Sequence, residues 1–130
     1  MNIEIIDLEV IRDNRGWLTE VLKSGPEAIE QVHFSVSEPG AIRGNHYHKR
    51  RVEWMFVSNG VGKIVLVDNH TKEKKELVVT GERPVLVKIQ PNVIHTITNC
   101  ANVPMHLFIL TDKTHSAQDT DTFRADSIDL

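Results

Sequence analysis

Cys100 is the only cysteine in this 130-residue chain. One thiol excludes an internal disulfide framework and a CxxC zinc knuckle, and it suits a reducing cytoplasm. Long apolar runs are missing too; none approaches the roughly 20 residues needed to span a bilayer. The opening Met1-Asn2-Ile3-Glu4 lacks the basic and apolar regions of a secretory signal. We therefore expect a cytoplasmic protein with no membrane partner. Positive charge is not in excess, with 15 basic against 18 acidic residues and a net charge of −3. That argues against general attraction to nucleic acid or anionic lipid. Helical periodicity is scarce, and internal repeats, linkers and low-complexity blocks are absent. The length fits one domain able to bury a core without staples.

What is present is a series of short strand-like segments separated by turn residues. Trp17 to Leu22, Gln31 to Ser37, Val52 to Ser58, Lys63 to Asp68, Glu76 to Thr80, Pro84 to Gln90, His95 to Asn99 and Met105 to Thr111 read as strands. Asn59-Gly60 between two apolar runs signals a hairpin. Within Gln31 to Ser37, Val32, Phe34 and Val36 alternate with Gln31, His33 and Ser35; the first set reads as core and the second as lining a mouth. Gly25 to Glu30 is long enough for one helical turn, with Pro26 near its start. Strands at this spacing point to an all-β sandwich or barrel over about residues 10–112, followed by a polar, acidic C-terminal arm over 113–130. The chain reads as one domain, 1–130.

Seven histidines stand out against this background. His46 and His48 are two apart in a strand-like segment, so both point to one side. Glu53 follows after a bend at Lys49-Arg50-Arg51, and His95 follows the Pro91-Asn92 turn, with Asn99 four residues on. Three imidazoles and one carboxylate suit a divalent Fe, Mn, Ni, Cu or Zn ion, or a metal-free polar site built from the same residues. A lone strand histidine is more often surface or core than ligand, and His33, His70, His106 and His115 fit that plainer reading.

The Gly40-x5-His46-x-His48-x4-Glu53-x6-Gly60 pattern resembles the first cupin motif at every fixed position, and Gln90 to Asn99 resembles the second. The second departs from the family at Gln90 and Asn92, where proline and glycine are usual; Asn tolerates a left-handed backbone, so the turn is expected to survive. The resemblance implies a small jelly-roll (cupin) barrel. Three ordered segments narrow it: Asp13-Asn14-Arg15-Gly16, Gln31 to Ser35, and Arg43-Gly44-Asn45-His46-Tyr47-His48. They resemble nucleotide-sugar cupins, namely dTDP-4-dehydrorhamnose 3,5-epimerases, dTDP-4-keto-6-deoxyhexose 3,4-ketoisomerases and the C-terminal cupin domain of capsular-polysaccharide reductase/epimerases.

This resemblance implies a nucleotide-sugar substrate and proton transfer beside the carbonyl of a 4-keto-6-deoxy sugar. It implies catalytic roles for His46 and His48 and a metal held by His46, His48, Glu53 and His95. Arg15 and Arg43 are candidates for the diphosphate, and Gln31, His33 and Ser35 for the mouth of the substrate site. A ring bound to metal through one nitrogen cannot use that lone pair as a base, so the two roles compete. Tyr47 points away from both histidines if the strand is regular. A metal-dependent cupin oxygenase and a non-catalytic sugar-binding cupin remain alternatives. A homodimer joined through an edge strand is expected.

Overall fold

Alternating side chains build two antiparallel sheets, seen in a computed structural model that describes residues 1–23 and 28–125. The strands are β1 (Ile3–Asp7), β2 (Val10–Asp13), β3 (Gly16–Thr19), β4 (Gln31–Ser37), β5 (Ile42–Tyr47) and β6 (Glu53–Asn59). They continue with β7 (Val61–Asp68), β8 (Lys74–Thr80), β9 (Val85–Ile89), β10 (Val93–Asn99), β11 (Met105–Thr111) and β12 (Phe123–Arg124). One sheet runs β1-β9-β6-β11-β4 and the other β12-β5-β10-β7-β8. The hairpin β2–β3 forms a separate two-stranded ribbon. The expected all-β jelly-roll barrel is therefore the fold.

Between the sheets, Met55, Val57, Ile64, Leu66, Val87, Ile97 and Leu107 form the main apolar cluster. Each such buried side chain contributes about 1.5–3 kcal/mol. A second cluster lies on the outer face of the first sheet, where Trp54, Phe56 and Leu86 are covered by Leu8, Val21 and Ile29. The interior cluster fills the barrel away from the histidines, so burial by period-two alternation delivers His95 inward between Val93 and Ile97.

Four local expectations change. Val32, Phe34 and Val36 are not core; they are 56%, 54% and 41% exposed on an edge strand. The opposite face of β4 turns inward because that end of the barrel is a polar cavity. Alternation identifies residues that share a face but does not say which face is interior. The barrel also begins earlier than residue 10, since β1 pairs with β9 from Ile3↔Ile89 to Asp7↔Val85. The strand expected over Trp17 to Leu22 ends at Thr19. In the segment Gly25 to Glu30, the residues 25–27 lie outside the described ones, and 28–30 are not helical.

Two backbone positions shape the site. Asn92 has φ +67°, the left-handed turn expected of an asparagine standing for glycine. Gly44 has φ +94°, and a Cβ there would sit 2.5 Å from the carbonyl oxygen of His95. The register of β10 against β5 shifts between His95 and Thr96 at this point. Close backbone approach thus sets the two strands so that His95 and His46 are direct partners. Gly44→Ala should cost more than about 1 kcal/mol through strain and contact with backbone that cannot yield. Thermal unfolding checks this; an unchanged Tm contradicts it.

Candidate functional site

His46 ends β5, His48 follows it, Glu53 opens β6 and His95 lies in β10, and the four meet inside one end of the barrel. The ring centroids of His46 lie 5.0 Å from His48 and 4.8 Å from His95, and those of His48 and His95 are 5.2 Å apart. One nitrogen from each of the three rings lies within 4.8 Å of the others. Glu53 joins them: its Oε1 is 3.1 Å from His48 Nε2 and its Oε2 is 3.1 Å from His95 Nε2. Tyr47 turns to the opposite side, as expected, and stacks on Phe123 with centroids 5.4 Å apart.

The outer nitrogens of two rings decide what the inner ones can do. His48 Nδ1 is 2.8 Å from the Asp121 carbonyl oxygen, and His95 Nδ1 is 3.0 Å from that of Val93. A carbonyl only accepts, so each Nδ1 carries a proton and each ring turns its Nε2 to Glu53. Burial pushes the Glu53 carboxyl up, but hydrogen bonding and charge from His48 and His95 outweigh it and hold it well below the ordinary carboxylate range. An ionised carboxylate then faces two ring nitrogens at 3.1 Å. That contact is repulsive unless positive charge lies between the groups, as ring protons or a cation. His48 Nε2, His95 Nε2 and Glu53 Oε2 are buried with no satisfied hydrogen bond. Two imidazoles and a carboxylate so placed, with His46 beside them, fit a divalent transition metal. The backbone carbonyls behind the rings are the outer partners that such ligands require.

His46 differs. Its ring makes no hydrogen bond among the described residues and is only partly buried. Burial, then the charges of His95 and His48, push its pKa down to about 4, so it is neutral near pH 7.

A cavity of about 380 Å³ opens beside these groups. Its wall includes His33, Ser35, Arg43, His46, Glu53 and His95. The structure therefore places His33, Ser35 and Arg43 on the wall of one cavity. Arg43 is held by Ser37 Oγ at 2.7 Å from Nε and by the Val36 carbonyl at 3.0 Å from Nη2. Two of its five N–H groups are thus engaged, leaving donors for a ligand. Gln31 is used otherwise: its side-chain amide donates to the His115 carbonyl and accepts from the His115 N–H. Arg15 is elsewhere. It sits on the β2–β3 turn, 84% exposed in its side chain and paired with Asp13, away from the cavity within one chain.

Sequence reasoning missed Arg51, His115, Asp119 and Thr122, which also line the cavity. Buried Arg51 bonds both Asp119 oxygens at 3.1 Å, and its Nε lies 3.8 Å from Glu53 Oε1. Burial pushes the Asp119 carboxyl up, but the Thr122 hydroxyl, the Asp121 N–H and Arg51 outweigh it and hold it well below its usual range. Burial, then Arg51, lowers the pKa of His115. The acidic run in the arm was visible in the sequence, as was the basic Arg50-Arg51 pair. No spacing rule joins segments 70 residues apart.

Two packed antiparallel sheets with histidines and a carboxylate converging inside one end define a cupin. The chain belongs to the polysaccharide biosynthesis C-terminal domain family, whose model matches residues 11–123. It is similar to a UDP-2-acetamido-2,6-beta-L-arabino-hexul-4-ose reductase of Pseudomonas aeruginosa, 27% identical over 90% of this chain and 31% of that protein. It is also similar to the spore coat polysaccharide biosynthesis protein SpsL of Bacillus subtilis, 27% identical over 86% of this chain and 80% of that protein. Among solved structures, the capsular polysaccharide assembling protein CapF of Staphylococcus aureus matches with a TM-score of 0.72 and 28% identity, over 92% of this chain and 34% of CapF. The chain thus spans about a third of the reductase and of CapF. At the level of fold alone, it matches a dTDP-4-dehydrorhamnose 3,5-epimerase of Bacillus anthracis (TM-score 0.81, 19% identity, 89% of this chain and 75% of that one). It likewise matches the 3,4-ketoisomerase QdtA of Thermoanaerobacterium thermosaccharolyticum (TM-score 0.80, 24% identity, 95% and 87%).

If a cation belongs between Glu53 and the rings, adding Zn(II), Mn(II), Fe(II) or Ni(II) to chelator-treated protein should raise the Tm. Saturation at 100 times Kd stabilises by about 2.7 kcal/mol. Glu53→Gln and His95→Gln should abolish that rise. An equal rise in both variants contradicts the assignment.

Proposed function

We propose that this domain is an isomerase or epimerase that moves a proton beside the carbonyl of a nucleotide-linked 4-keto-6-deoxy sugar, in the cytoplasmic synthesis of a cell-surface polysaccharide. The observation that carries this is the buried Glu53 carboxylate between the His48 and His95 imidazoles, with His46 beside them, on the wall of a cavity that also holds Arg43. Membership of a polysaccharide biosynthesis family supports it, and so do relatives whose names refer to a UDP-sugar reductase and to spore coat polysaccharide.

His48, Glu53 and His95 would hold a divalent metal, which would supply Lewis-acid polarisation of the substrate carbonyl, leaving His46 beside it with its lone pair free. The protein's own groups do the rest. Arg43 offers its free N–H groups to the diphosphate, and His33 and Ser35 line the path of the sugar. The apolar wall formed by Met55, Ile97, Leu107 and Ile109 limits water at the reacting carbons. Of the two candidate bases, His48 has both nitrogens committed, whereas His46 is neutral and untethered. Proton abstraction therefore falls to His46.

Incubation with dTDP-4-keto-6-deoxyglucose, or its UDP counterpart, in deuterated water should place deuterium at C3 or C5. Absence of both deuterium and isomer contradicts the proposal, and oxygen uptake with Fe(II) instead would favour an oxygenase. Binding of the nucleotide sugar without turnover would make the domain a binding module. His46→Gln should slow the exchange by at least about 100-fold while metal stays bound through the other three groups. Loss of metal in that variant assigns His46 to coordination instead.

The partner expected besides substrate is a second copy. Exposed Val32, Phe34 and Val36 on the edge strand β4, and Ile11, Trp17 and Leu18 on the β2–β3 ribbon, are apolar surface that a C2 dimer would cover. A two-stranded ribbon is at best marginally stable alone. Light scattering at micromolar concentration should give twice the chain mass, and Phe34→Asp should lower it; a monomeric parent chain contradicts the dimer.

A further inference from the structure

Residues 113–125 return across the mouth of the barrel and fasten to it at several points. Gln31 grips the backbone of His115, Arg51 holds Asp119 and donates to Thr122 Oγ1 at 2.9 Å, and β12 pairs with β5 through Phe123↔Tyr47 and Arg124↔His46. The tightest seat belongs to Asp121, which is 4% exposed. Its Oδ1 accepts from the N–H groups of Lys49 at 2.9 Å and Arg50 at 3.2 Å. Its Oδ2 accepts from Arg50 at 3.2 Å and Arg51 at 3.1 Å. These three residues are the bend that joins His48 to Glu53. The backbone carbonyl of the same Asp121 receives His48 Nδ1 at 2.8 Å.

We infer that Asp121, from the C-terminal arm, is a positioning residue for the metal centre: its carboxylate fixes the 49–51 bend while its carbonyl selects the His48 tautomer. This rests on the reading of His48 and Glu53 as metal ligands. Three backbone donors converge on one point, and only an ionised carboxylate offers enough lone pairs to satisfy them. An asparagine keeps one oxygen, but its NH₂ group would confront backbone N–H groups. The arm would then move, and the carbonyl with it. A His48 ring without that acceptor can place its proton on Nε2, the nitrogen that must be bare to bind a metal. The outer partner of a ligating histidine typically governs about 10–100-fold in metal affinity.

The test uses the full chain and two readouts. In ¹⁵N-histidine spectra of metal-free protein, the parent chain should show His48 protonated at Nδ1, whereas Asp121→Asn should show a tautomer mixture. Competition with a chromogenic chelator should give Asp121→Asn about 10–100-fold weaker Zn(II) or Co(II) binding. Thr120→Ala, which removes only the exposed contact of the arm with the Arg50 side chain and leaves the Asp121 bonds in place, should keep the parental affinity and tautomer. An Asp121→Asn variant with parental affinity and an unchanged tautomer overturns the inference. Should that variant fail to fold, Asp121→Glu, which keeps the charge but displaces the backbone, is read by the same two measurements; parental values in both overturn the inference equally. If the parent chain binds neither metal, the ligand reading itself fails, and a tautomer change in the variants would then establish positioning of the ring alone.

Discussion

The Glu53 carboxylate, wedged between the Nε2 atoms of His48 and His95, is the contact on which the rest of the site depends. The fold takes these groups out of water, and two backbone carbonyls then fix the rings so that their Nε2 atoms point inward. Such a cluster is costly to bury as it stands. It becomes favourable when positive charge sits among the ligands, which is the condition that a metal centre meets. The same burial that creates the electrostatic need also shapes the adjoining cavity.

The barrel explains how side chains far apart along the chain reach one point. The pleat aims His46 to the inner side of β5, and Gly44 lets β5 approach β10 until His46 and His95 become neighbours. The Asn92 turn delivers the start of β10, and the bend at 49–51 carries the chain from one sheet to the other, ending at Glu53. Along β6 and β10 the apolar partners Met55 and Ile97 continue inward into the main core. The site is thus the polar end of one continuous interior, with its rigidity borrowed from the packed end.

Much of this was legible in the sequence, for physical reasons. Period-two patterning gave most strand positions, and the spacing of His46, His48, Glu53 and His95 reported a shared inward face and a following turn. Asn92 was read as left-handed and is. Other features were hidden. Val32, Phe34 and Val36 alternate like core residues, yet a polar cavity on the other side of β4 turns them outward. Gln31 shares its face with His33 and Ser35, but its amide is spent on the His115 backbone. Arg15 lies on a ribbon whose contacts within one chain are few, so sequence could not place it. The arm was opaque because Asp121 acts on backbone N–H groups, which any residue at 49–51 would supply and no side-chain pattern records.

Elemental analysis of protein purified without chelator, and again after exposure to a single divalent metal, addresses the central claim most directly. The account predicts about one equivalent of transition metal per chain, lost on mutation of Glu53. A chain that stays metal-free under both conditions, with His48 and His95 instead doubly protonated against Glu53, would contradict it.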